Sequence, residues 1–187
     1  MLKKIIFISR FSILFLAVVS CKNEVLPKPA SHLSLEYPEA EYAHFENECP
    51  FTFDMNNNAV IKGQPGCNFT INYPKMKATI YISYKPVENN INVLLRDAQK
   101  LTYEHVIKAD DITEQPFINS DNKVYGMFYR VNGNAATNAQ FYVTDSTKHF
   151  IDCSVYFYAK PNFDSIMPAT NYIKNDMQRM MESLRWK

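Results

Sequence analysis

CNFTINYPKMKATIYISYK, residues 67–85, decides the fold class. Its first seven residues put Cys67, Phe69, Ile71 and Tyr73 on one face and Asn68, Thr70 and Asn72 on the other. Side chains on a strand alternate with a period of two, so this pattern predicts a strand buried on one side. Pro74-Lys75-Met76 interrupts it, and Ala78, Ile80, Ile82 and Tyr84 then resume the alternation. Two such runs across so short a break predict an antiparallel pair.

Towards the N-terminus, CPFTFDM at 49–55 alternates in the same way and stops at Asn56-Asn57-Asn58, a turn cluster. Towards the C-terminus the period changes. Ile91, Leu94, Leu95, Ala98 and Leu101 recur at three and four, with His105 next on that face. This spacing predicts an amphipathic helix capped by Asn90 and ending near Asp110-Asp111, ahead of Pro116. Residues 123–160 return to strands, with Asn132-Gly133 and Asp145-Ser146-Thr147 as turns, giving three consecutive antiparallel strands. A last helix is predicted from about Asp164 to about Trp186. Ile166, Ala169, Tyr172, Ile173, Met177, Met180, Met181 and Leu184 form its apolar face, and Pro168 falls in its first turn.

Strands, helix, three strands, helix make an α+β layered domain, an antiparallel sheet with two main helices packed on it. The arrangement is similar to the fold of the PsbP and Mog1 families, a likeness of fold that carries no function.

The chain opens MLKKIIFISRFSILFLAVVSC, with Lys3, Lys4 and Arg10 ahead of an apolar run from Phe11 to Val19. A membrane-spanning helix needs about 20 apolar residues. A run of about half that length, with its charge on the N-terminal side, reads as a secretory signal peptide. Val18-Val19-Ser20-Cys21 resembles the lipobox of bacterial lipoproteins. That likeness implies a leader over 1–20, acylation of Cys21, a lipid-anchored tether over 21–34 and a single domain over 35–187. Two or three acyl chains on one residue exceed the single-chain affinity that gives only reversible membrane binding.

Removing the leader leaves 17 basic against 19 acidic residues, a balance of −2. That argues against a nucleic-acid partner, which leaves a basic patch or stripe. An exported compartment permits disulfides. Cys49 and Cys67 each open an alternating run and are the predicted pair, a link that adds about 3 kcal/mol on the chain-entropy account. Cys153 shares a face with Ile151, Val155 and Phe157 and reads as a buried free thiol. No C-x₂-C spacing suggests zinc, and neither a metal nor a cofactor is expected.

Asp145, Ser146 and His149 supply the residue types of a hydrolase triad, but triads are assembled by geometry, and these read as a polar turn. His105 beside Glu104 reads as a structural histidine, Asp110-Asp111 as a solvated helix end, and Met177, Met180 and Met181 as core. With four glycines in the chain and no phosphate-cradling loop, no enzyme is expected. Tyr125, Phe128, Tyr129, Tyr156 and Tyr158 alternate onto both faces of the predicted sheet, more aromatic surface than one helix covers. An exposed remainder would receive a ligand or a partner.

YPKMKATIYISYKP, LLRDAQKLTYEHVIKAD, KVYGMFYRVNGNAATNAQFYVTDS and FYAKPNFDSIMPATNYIK, together with the lipobox, resemble the gliding-motility lipoprotein GldD family of the Bacteroidetes. The resemblance runs from about Tyr37 to Trp186. It implies an envelope lipoprotein required for gliding, a process coupled to type IX secretion, and a non-enzymatic assembly or scaffold component of that machinery. The implied partners are the membrane, through acylated Cys21, and other motility or secretion proteins. Cys49 and Cys67 look like a pair the family shares, whereas Cys153 does not look like a family feature. The alternative is a periplasmic module that binds a hydrophobic ligand or glycan. Lys22-Asn23-Glu24 lacks an aspartate directly after Cys21, which favours the periplasmic face of the outer membrane over the inner membrane.

Overall fold

The 67–85 stretch folds as a hairpin in the computed structural model, which describes residues 37–187 apart from 64–65, 105–108 and 159–162. The leader, Cys21, the tether and His105 lie outside the described residues. In chain order the elements are β1 (Tyr42–Phe45), β2 (Phe51–Asn56), β3 (Val60–Gly63), β4 (Phe69–Tyr73), β5 (Ala78–Pro86), α1 (Ile91–Tyr103), β6 (Ala109–Asn119), β7 (Val124–Gly133), β8 (Thr137–Thr144), β9 (His149–Phe157), α2 (Phe163–Ser183) and β10 (Arg185–Trp186). β4 and β5 pair antiparallel with Phe69 opposite Ile82 and Ile71 opposite Ile80. A 3₁₀ turn at Pro74–Met76 joins them.

Seven strands form one antiparallel sheet in the order β3-β4-β5-β9-β8-β7-β6, and β1-β2-β10 form a smaller one. One face of the large sheet presents Ile71, Ile80, Phe141, Ile151 and Val155 to Ile173, Met177 and Met181 of α2 and to Phe51 and Phe53 of β2. Leu94 and Ala98 of α1 pack on the other face, over Tyr129, Tyr142 and Phe150. The period-two alternation of β7, β8 and β9 therefore feeds two cores, one under each helix. Each large side chain buried this way contributes about 1.5–3 kcal/mol.

Cys49 and Cys67 are joined by a disulfide with their Cα atoms 5.5 Å apart, tying the approach to β2 to the loop before β4. Cys153 is free and buried, and burial pushes its thiol pKa up.

Several local expectations need correcting. Asp110-Asp111 is not a helix end. α1 stops at Tyr103, and the two aspartates open β6, where the register with β7 slips between Ala109 and Asp111. β6 is an edge strand exposed along most of its length, so it shows no apolar alternation. Having one unpaired side, it also tolerates Pro116, which an interior strand would exclude. The last helix ends at Ser183, because Arg185 and Trp186 pair with Thr52 and Phe51 as β10. Pro168 falls one turn deeper in α2 than the first turn. Asn90 stands at the N-cap of α1, but its Oδ1 accepts the Glu88 N–H instead of capping the helix. Gly133 adopts φ +101°, and a Cβ there would meet the Asp110 backbone nitrogen at 2.7 Å. Glycine is needed both for that conformation and for the close approach of β6.

Candidate functional site

The triad-like residues do not assemble. Asp145 Oδ1 accepts the backbone N–H groups of Thr147, Lys148 and His149 at 3.0, 2.7 and 2.8 Å. Burial raises the pKa of this carboxyl, but those bonds outweigh it and the net shift is downward. His149 Nδ1 faces the Tyr84 hydroxyl at 2.9 Å, and its ring stacks on Trp186 at 5.1 Å. Ser146 is exposed at φ 69°, and its N–H donates to Thr144 Oγ1. No hydrogen bond joins Ser146 to His149 among the described residues, and the geometry is that of a tight turn.

The exposed surface that the tyrosines predict lies where α1 leaves the sheet uncovered. Cross-strand pairing sets Lys62, Thr70, Tyr81, Ser154 and Gln140 in one row across β3, β4, β5, β9 and β8. The adjacent row is Val60, Asn72, Thr79, Tyr156 and Thr137. α1 covers only the β7–β9 side of this face, so the β3–β5 side faces solvent. Tyr81 and Tyr156 meet edge-to-face at 5.5 Å, and the Tyr81 and Tyr158 hydroxyls are 3.1 Å apart. Thr79 Oγ1 also lies 3.2 Å from the Tyr158 hydroxyl. Tyr158 is 64% exposed, Val60 53% and Tyr81 40%, so the platform is available to another molecule. An open groove of about 330 Å³ runs beside it between Lys62, Asn72, Lys77 and Tyr158.

Polar groups back the platform at the rim of α1. Gln140 Nε2 donates to Asp152 Oδ1 at 3.0 Å and to the Ala98 carbonyl at 3.1 Å. Burial pushes Asp152 up to about 6, against the Gln140 bond and the Lys85 charge. Among the described residues, the Ser154 hydroxyl and Gln140 Oε1 are buried without a partner.

Of the five aromatics that the sequence singles out, Tyr156 and Tyr158 belong to this surface; Tyr81, which stands opposite Ser154, is not one of the five. Its alternation within KATIYISYK was the available signal. Phe128 and Tyr129, two more of the five, are the covered ones, buried under α2 and α1 respectively.

The space between sheet, α2 and β2 is filled. The void among Phe51, Phe53, Phe141, Cys153, Met180 and Leu184 measures about 10 Å³. Among the described residues, no group of three or more His, Cys, Asp or Glu side chains is placed to hold a metal, and no helix is long and apolar enough to cross a membrane.

What the platform serves depends on what the chain is related to. No curated protein matches the sequence. A family model described as gliding motility lipoprotein GldD matches residues 22–186, most of the chain, and the protein belongs to that family.

Proposed function

We propose that the protein is held at the membrane by acyl chains on Cys21 and acts as a non-enzymatic assembly factor. Its folded part docks other proteins of the gliding and type IX secretion machinery on the open tyrosine face of the sheet. The observation that carries this reading is the uncovered cluster of Tyr81, Tyr156 and Tyr158. Tyrosine offers a large, rigid contact at low entropic cost and a hydroxyl that stays hydrated until a partner arrives. The filled core supports a surface role, since ligand chambers run to about 300–1,000 Å³. The family match begins at residue 22, directly after the proposed anchor. The absence of aspartate at position 22 supports the periplasmic face of the outer membrane.

Fractionation of tagged full-length protein beside a Cys21→Ala form tests the anchor. The unsubstituted protein is expected in the membrane fraction and the Cys21→Ala form outside it, with gliding lost. A substituted form that stays membrane-bound and functional overturns the anchor.

The exposed tyrosines also favour a second reading, a periplasmic module that takes a glycan by stacking sugar faces on Tyr81 and Tyr158. Saturable quenching of tyrosine fluorescence by envelope oligosaccharides, lost in Tyr158→Ala, would establish it.

A further inference from the structure

On the other face of the sheet, two cations stand together without a counter-charge among the described residues. Lys174 of α2 is 8% exposed, and its one hydrogen-bond partner among the described residues is Asn132 Oδ1 at 3.4 Å. Arg130, two residues before Asn132 on β7, donates from Nη2 to Gln178 Oε1 at 2.8 Å and lies 5.5 Å above the Phe128 ring. Gln178 is itself oriented by donating to Glu182 Oε1 at 2.9 Å. Neither cation belongs to an ion pair among the described residues. Burial and the Arg130 charge both push the Lys174 pKa down. The nearby acid of β6, Asp111 opposite Asn132, is exposed and accepts from the Thr113 hydroxyl.

A third group belongs to the same stripe. Thr170 precedes Lys174 by one helical turn, is 1% exposed, and leaves its Oγ1 without a partner among the described residues. Residues four apart on a helix share a face, which places Thr170 on the same stripe of α2 as Lys174. Lysine is almost never this buried unless it is paired, because taking an ammonium out of water without a counter-charge is strongly unfavourable.

We propose that Lys174, Arg130 and Thr170 form a recess that receives one carboxylate from an acidic segment of a partner protein. This deepens the docking role and rests on it, adding a second contact on the side of the sheet opposite the tyrosines. Charge complementarity identifies the occupant. Gln178 already takes one arm of the guanidinium, so the donors left are the ammonium, the remaining guanidinium N–H groups and the Thr170 hydroxyl. They are more than enough to fill the roughly four lone-pair sites of a carboxylate, and the bonds from both cations would be charge-assisted. Phe128 and Gln178 hold Arg130 in place beforehand, which lowers the ordering cost of binding.

The test titrates the full chain, in detergent, with a capped peptide rich in Asp and Glu, its Asn/Gln counterpart and inorganic phosphate, read by calorimetry. The acidic peptide is expected to bind, its counterpart not to, and Lys174→Met and Arg130→Gln each to weaken binding roughly tenfold or more. Thermal unfolding checks that each variant folds, and Arg130→Gln carries the test if Lys174→Met does not. The proposal is overturned if the acidic peptide fails to bind, binds both variants equally, or is refused while phosphate is taken. Acidic-peptide binding through these residues without cross-linking at the tyrosine face would sink the tyrosine docking face and leave the recess; the reverse result would do the opposite.

Discussion

The Tyr42 hydroxyl donates to Asp176 Oδ1 across 2.6 Å, pinning the first described strand to the middle of the last helix. Asn56 Nδ2 and the Tyr73 hydroxyl reach Oδ2 at 2.8 and 2.9 Å, so three strands converge on one carboxylate that is 1% exposed. Burial raises the Asp176 pKa even against these three bonds.

Removing the acceptor should cost more than removing one donor. Asp176→Ala takes the acceptor from the Tyr42 and Tyr73 hydroxyls and from one Asn56 N–H, whose amide keeps its bond to the Tyr172 hydroxyl, and is predicted to destabilise the protein by about 3 kcal/mol. Tyr42→Phe loses a single bond and should cost about 1 kcal/mol. Urea unfolding measures both, and equal costs would contradict a shared acceptor.

Acid should relieve strain at Asp152, whose folded pKa of about 6 lies above its ordinary 3.8. A carboxyl with a raised folded pKa holds its proton longer when folded, so its contribution is fully present below 3.8 and is lost as pH rises to about 6. The amount lost is at most about 3 kcal/mol. Asp176, shifted in the same direction, adds to the trend, while Asp145, whose pKa is lowered, opposes it. Unfolding free energies at pH 4 and pH 7, compared between the unsubstituted protein and Asp152→Asn, isolate Asp152 from these two groups. Asp152→Asn should flatten the difference, and an unchanged pH dependence would contradict the assignment.

The two helices and the strands with clean alternation were readable in the sequence because burial on one face writes itself as period two or as spacing of three and four. β6 was not, because an edge strand bearing Asp111, Glu114 and Pro116 is exposed and carries no such pattern. β1 and β3, four residues each, are too short to show one. At the site, alternation identified outward tyrosines but not which of them α1 covers, since that depends on the order β5-β9-β8-β7. Asp176 gave no sign of its clasp, whose partners lie 103 to 134 residues away.

The Cys49–Cys67 disulfide closes a loop of 18 residues. Reduction, or paired substitution by alanine, is predicted to cost about 3 kcal/mol, read as a lower thermal midpoint. A midpoint unmoved by reductant would mean that the packing of Phe51, Phe53 and Phe69 already fixes this corner.

The docking claim is tested most directly by site-specific photo-cross-linking in gliding cells, with the reactive residue placed at Tyr81, at Tyr158, or at Ile118 on the exposed edge of β6 as a control. Discrete adducts with motility or secretion proteins are predicted from positions 81 and 158 and not from 118. Stable, full-length protein that yields no adduct from 81 or 158, or the same adducts from 118, would contradict the tyrosine face as the docking surface.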